Sequence, residues 1–128
     1  MDRVSLELVR LYGNPDVDWL NYKITRDNPI SFHHIQKDCD GGKRVISNGG
    51  LLTNYSHRYL HIIETREYKL YLVLNNILKL INMRGYNPTN EERKIINEIF
   101  LEFEYYHKKD LNNKGKTLIR KEYLNRYS

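Results

Sequence analysis

The sequence predicts an α+β protein: a small ββα unit built on a short antiparallel β-hairpin, packed against several α-helices, with helix in the majority. Three observations predict it. Apolar residues recur at helical spacing through two long segments, Leu70 to Ile81 and Ile95 to Phe103. One run rich in β-branched and aromatic types, Ile30-Ser31-Phe32-His33-His34-Ile35, is followed by glycine pairs at 41–42 and 49–50 that let the chain fold back. Cap signals then open helices after the turns. At 128 residues a single domain spanning 1–128 is expected, with the ββα unit at 30–64 and a helical part at 65–128.

Taken in order, residues 3–12 carry Val4, Leu8 and Leu11 at helical spacing, and Gly13 ends that helix. Asn14-Pro15 predicts the start of another helical turn, with Asn14 as cap and Pro15 in the first helical position. Trp19, Leu20 and Tyr22 offer a bulky apolar cluster, and Asn28-Pro29 breaks the chain. The strand at 30–35 leads into a turn from Asp38 to Lys43. Arg44 to Ile46 reads as a partial return strand, and Gly49-Gly50 as a sharp bend before Leu51-Leu52. Thr53 or Asn54 caps a helix to about Glu64. The stripe Leu70, Val73, Leu74, Ile77, Leu78 and Ile81 makes a core-facing helix closed near Gly85. Thr89 and Glu92 form a capping box before Ile95, Ile96, Ile99, Phe100 and Phe103. Residues 112–115 read as a loop and Thr117 to Arg126 as a last helix.

Composition narrows the function. With 40% hydrophobic and 29% charged residues, the chain belongs with folded rather than disordered proteins. Cys39 is the only cysteine, which excludes an intrachain disulfide and a Cys-rich zinc site and fits a reduced, cytoplasmic setting. Residues 1–4 lack a signal-peptide core and no stretch reaches membrane-spanning length, so no membrane partner is expected. The formal charge of +5 favours a polyanionic partner. Seven basic residues between 108 and 126 (Lys108, Lys109, Lys114, Lys116, Arg120, Lys121 and Arg126) stand against Asp110 and Glu122. Of these, Lys114, Lys116, Arg120 and Lys121, together with Lys43 and Arg44, are candidates for phosphate contacts with DNA.

Four of the five histidines fall in one short stretch, as two pairs. His57 and His61, at i and i+4, share one helical face and can chelate one ion. A third imidazole arrives from the strand. Neighbouring strand residues point to opposite faces, so His33 and His34 should not both bind the same ion, and one is left for acid–base work. His107, near a predicted helix C-terminus, reads as solvated. Cys39 sits in a polar loop, without a role.

His33-His34-Ile35, Gly41-Gly42, Asn48, Leu52, His57 and His61 together resemble the HNH endonuclease motif on the ββα-metal fold. Asn48 to His57 is nine positions and His57 to His61 is four, as in that family. The resemblance covers residues 30–64 and implies that His33, His57 and His61 hold one divalent ion: zinc, magnesium, manganese or nickel, with zinc expected on purification. It implies that His34 is the general base for the attacking water, and that Asn48 braces the turn and orients His34 through hydrogen bonds. The implied reaction is hydrolysis of DNA phosphodiester bonds, by an enzyme of the small phage or mobile-element kind. Gln36-Lys37 stands where many members have proline. Thr53 and Ser56 stand where a second Cys-x-x-Cys pair would bind a structural zinc, so none is expected.

The alternative is a non-catalytic, metal-stabilised binding protein, such as a phage-encoded inhibitor of a CRISPR effector nuclease, whose tyrosines or C-terminal helices would meet a protein partner. A third reading is a nucleic-acid-binding module without catalysis. Retention of His34 and Asn48 favours catalysis, because a purely structural ion needs little beyond its ligands. Three protein ligands also leave an open position. A homodimer is compatible with duplex cutting.

Overall fold

A computed structural model describes residues 2–107. Its architecture is mixed α+β, with a two-stranded antiparallel hairpin and four helices. The loop expected at 112–115, the helix expected at 117–126, and the basic residues Lys114, Lys116, Arg120 and Lys121 lie outside the described residues.

Helix α1 runs Arg3–Leu11. The Asp2 carboxylate caps it by accepting from the Ser5 N–H at 2.8 Å, meeting one of the orphan amides of the first turn. It ends at Tyr12, where Gly13 adopts φ +76°, a conformation open to glycine. Leu8 is buried, whereas Leu11 is exposed. No helical turn starts at Pro15. Asn14 continues the reversal with φ +50°, and the chain forms a narrow antiparallel bridge between Val17 and Lys23.

The cause is Asp18, which is wholly buried. Its Oδ1 accepts from the amides of Leu20 and Tyr22 at 2.9 and 3.0 Å. Its Oδ2 accepts from the Thr53 amide at 2.8 Å and from the Ser56 hydroxyl. One carboxylate therefore folds the 18–22 turn and ties it to the start of a helix more than thirty residues away. Trp19, Leu20 and Tyr22 are carried into the core by that turn, as their apolar bulk predicts.

Strand β1, Ile30–His34, pairs with β2, Gly49–Thr53, in the register Ile30↔Thr53, Phe32↔Leu51 and His34↔Gly49. The return strand thus lies beyond Arg44–Ile46, and Gly49-Gly50 is part of it rather than a bend. Residues 46–48 make a single 3-10 turn instead. The glycines are there for close approach. A Cβ on Gly49 would meet the Phe32 ring at 2.8 Å, and one on Gly50 would meet the His33 ring at 3.0 Å.

Helix α2, Asn54–Arg66, follows β2 directly, with the Thr53 hydroxyl accepting from the Ser56 amide at 3.2 Å. Helix α3, Tyr68–Arg84, buries Tyr71, Leu74, Leu78 and Ile81 and stops at Gly85, φ +79°. Helix α4, Asn90–Tyr106, opens with the capping box of Thr89 and Glu92 and buries Ile96, Ile99, Phe100 and Phe103. Val73 and Ile95, expected in the core, are half-exposed at 48% and 41%, so the apolar stripes are wider than the faces that pack. One apolar cluster joins residues of all four helices and both strands. His107 is not solvated as expected: it stacks on Phe103 with ring centroids 4.6 Å apart, and its Nε2 lies 2.9 Å from a Glu67 carboxylate oxygen. No helix among the described residues is long and apolar enough to cross a membrane.

Candidate functional site

Alternation along β1 sets the histidines. Ser31 and His33 share one face and meet α2. The Ser31 hydroxyl lies 3.0 Å from His57 Nδ1, and the His33 and His57 rings stand edge to face with centroids 5.3 Å apart. His34 shares the other face with Phe32, its ring edge-on at 4.9 Å. At the end of the strand, His33 and His34 both line one cavity of about 170 Å³. His57, His61 and Glu64 from α2, Lys37 and Asp38 from the loop after β1, and Tyr71 from α3 complete most of its wall. The four histidines are thus brought together.

Their environments differ. His33 is 5% exposed, and burial pushes its pKa down to about 4, assisted by His57 and His34 and opposed by a hydrogen bond to Asn75. The ring is neutral near pH 7, with a lone pair available. Its Nε2 lies 2.8 Å from Asn75 Oδ1. His57 is half-buried, and its pKa is also lowered, first by burial and then by the charges of His61 and His34. His61 has a side chain 71% exposed, with Nδ1 3.3 Å from Glu64 Oε1. The other oxygen of Glu64 pairs with Lys37, whose ammonium stands 5.4 Å from the centre of the Tyr71 ring. The bond to Glu64 raises the Lys37 pKa.

Asn48 laces the loop between the strands. Its Oδ1 accepts from the Gln36 amide at 2.7 Å, and its Nδ2 donates to the carbonyls of Gln36 and Lys43 at 2.9 and 3.0 Å. Its own carbonyl accepts from the Ile35 amide at 3.0 Å. The bracing expected of Asn48 is present, but among the described residues it makes no hydrogen bond to His34. It acts on that histidine through the backbone of Ile35, the next residue. Gly42 lets the loop close, since a Cβ there would fall 1.8 Å from the Gln36 carbonyl oxygen. Arg44 is not a free cation: it pairs with Asp2 and covers the Phe32 ring at 4.7 Å. Lys43 is exposed. Cys39 is exposed beside the same loop.

Among the described residues, no group of three or more His, Cys, Asp or Glu side chains is gathered closely enough to hold a metal ion. His33 and His57 face each other, whereas His61 is turned toward Glu64. The chemistry of the donor set nevertheless fits an ion. Each of the three imidazoles has one ring nitrogen beside a partner from its own chain: Asn75 for His33, Ser31 for His57 and Glu64 for His61. One nitrogen of each ring remains. Metal-binding histidines are oriented in this way, by a partner on the far nitrogen.

Sequence reasoning missed these three partners. Glu64 had a signal, since it stands at i+3 from His61 on the same helix. Ser31 had a weaker one, two residues before His33 on the same strand face. Asn75 had none, because it arrives from a helix 42 residues downstream. No protein-family model, no curated protein and no solved structure matches the chain.

Proposed function

We propose that the chain is a metal-dependent endonuclease that hydrolyses DNA phosphodiester bonds at the cavity between β1 and α2. One observation carries the reading: two strand histidines and two helical histidines line one pocket beside a loop that Asn48 laces. His33, His57 and His61 would hold a single divalent ion, with zinc, magnesium, manganese and nickel as candidates. Such an ion supplies Lewis-acid stabilisation of the negative charge that grows on the phosphate. His33 is suited to binding because burial keeps it neutral into weakly acidic solution. His34 is half-exposed at the same cavity and its ring, among the described residues, makes no hydrogen bond, so the ring is available to take a proton from water. Asn48 fixes the backbone that carries His34. Lys43 lies on the exposed rim of the braced loop, where a phosphate backbone would approach.

The test is nicking of supercoiled plasmid by metal-free protein refilled with each ion in turn, with His34→Ala alongside. The expected result is cutting that requires both an ion and His34, with a loss on the order of a hundredfold or more in the variant. Tight metal binding with no cutting by any ion would overturn the nuclease. It would favour a metal-stabilised binding protein, a reading supported by the exposed apolar side chains Leu72, Leu80 and Met83 along α3.

A further inference from the structure

We infer that Asn75 is a positioning residue that fixes the tautomer of His33, so that Nδ1 is the one nitrogen of that ring able to bind a metal ion. The inference rests on the metal-site reading above and gives a second residue of α3 a part in the site. Asn75 Nδ2 lies 2.9 Å from the Ile35 carbonyl oxygen. A carbonyl oxygen only accepts, so the amide nitrogen must face it, and the orientation of the side-chain amide follows. Asn75 Oδ1 is then the atom 2.8 Å from His33 Nε2. An amide oxygen also only accepts, so Nε2 carries the proton. In the neutral ring this leaves the lone pair on Nδ1.

The same bond limits rotation of a ring that is already buried between β1, α2 and α3. Asn75 therefore does for His33 what a carboxylate or carbonyl does for histidines in known metal centres: it selects the tautomer and holds the ring plane. It also joins the ring to the backbone of Ile35, whose amide is held by the Asn48 carbonyl. Strand end, loop and ligand are linked through one amide on α3.

The experiment begins with the metal-free full-length wild-type protein, in which long-range ¹H–¹⁵N correlation of the histidine rings distinguishes the two tautomers. His33 is expected to be protonated on Nε2, and protonation on Nδ1 would overturn the inference. This measurement involves no cutting, so its failure is distinct from failure of the nuclease reading. Zinc affinity by chelator competition follows for Asn75→Ala and Asn75→Asp. Loss of the acceptor in Asn75→Ala should weaken zinc binding about 10–100-fold and mix the tautomers. Asn75→Asp keeps an acceptor for His33 Nε2–H and should hold that tautomer, while it gives up the donor to the Ile35 carbonyl. Unchanged tautomer and zinc affinity in a folded Asn75→Ala protein would also overturn the inference. The wild-type spectrum decides the matter if that variant does not fold.

Discussion

A histidine buried in its neutral form makes metal-free protein weaken in mild acid, and the size of the effect follows from the site. His33 has its pKa lowered from an ordinary value of 6.5 to about 4. The unfolded chain then binds a proton that the folded chain refuses, and stability rises with pH through that window. The contribution is complete above about pH 6.5 and is lost as pH falls toward 4. With those two pKa values, the loss between pH 8 and pH 5 is about 2 kcal/mol. That is a sizeable share of the roughly 5–15 kcal/mol of a typical domain. His57 shifts in the same direction, so His33 must be isolated by substitution. His33→Gln retains a neutral donor for Asn75 and cannot titrate. The assay is urea unfolding of chelator-treated protein at the two pH values, followed by fluorescence of the fully buried Trp19. Wild type should lose about 2 kcal/mol more than His33→Gln. Equal losses in the two proteins would refute the burial argument for His33.

Three other substitutions probe the frame around the site. Asp18→Asn puts amide hydrogens against the Thr53 N–H, so chemical denaturation should register a loss of about 1–3 kcal/mol; an unchanged midpoint would mean that the buried carboxylate is not what ties the 18–22 turn to Thr53 and Ser56. Gly42→Ala drives a methyl group into the Gln36 carbonyl and should cost about 1–3 kcal/mol, with faster hydrogen exchange at the Gln36 amide that Asn48 holds. Thr89→Ala removes half of a reciprocal cap on α4 and should cost about 1 kcal/mol by thermal unfolding, without altering zinc affinity.

Much of this molecule was legible from local pattern. The four helices other than the one expected at 117–126 follow from apolar spacing and caps, and the capping box of Thr89 and Glu92 is present in full. The order strand, strand, helix across 30–66 was readable, as was the gathering of His33, His34, His57 and His61. The return strand was misread because glycine has two uses. Gly49 has φ −97°, an ordinary extended value, so conformational freedom is not why it is there. It leaves room for the Phe32 ring from the opposite strand, which is a property of the pair and invisible in one segment. Pro15 misled for a related reason. Asn14-Pro15 is a good local helix start, but the Asp18 carboxylate offers the following amides a better partner and also secures Thr53 and Ser56. Val73 and Ile95 follow their stripes in sequence but lie outside the packed faces, because periodicity gives the direction of an apolar face and not its width.

Helix α3 shows why sequence leaves the downstream helices without a duty in the site. From sequence it is a core-facing stripe closed near Gly85. Two of its asparagines meet the ends of the loop between the strands. Asn75 donates to the Ile35 carbonyl, where β1 gives way to the loop. Asn82, two turns further along the helix, donates to the carbonyls of Ile46 and Gly49 at 2.9 and 2.8 Å, where the loop gives way to β2. The two amides therefore grip both ends of the loop that Asn48 laces internally, and one of them also holds His33. The loop between the two strands packs Ile35 and Ile46 against the core, and hydrogen bonds from Asn48, Asn75 and Asn82 hold its backbone. Carbonyls left unpaired at its two ends would cost more than an ordinary hydrogen bond contributes, so the pairing restrains the loop strongly. The helix after the ββα unit thus acts as a rigid rail for the site. Its contribution is hard to read because asparagine at i and i+7 on a helix carries no pattern until the carbonyls it meets are known.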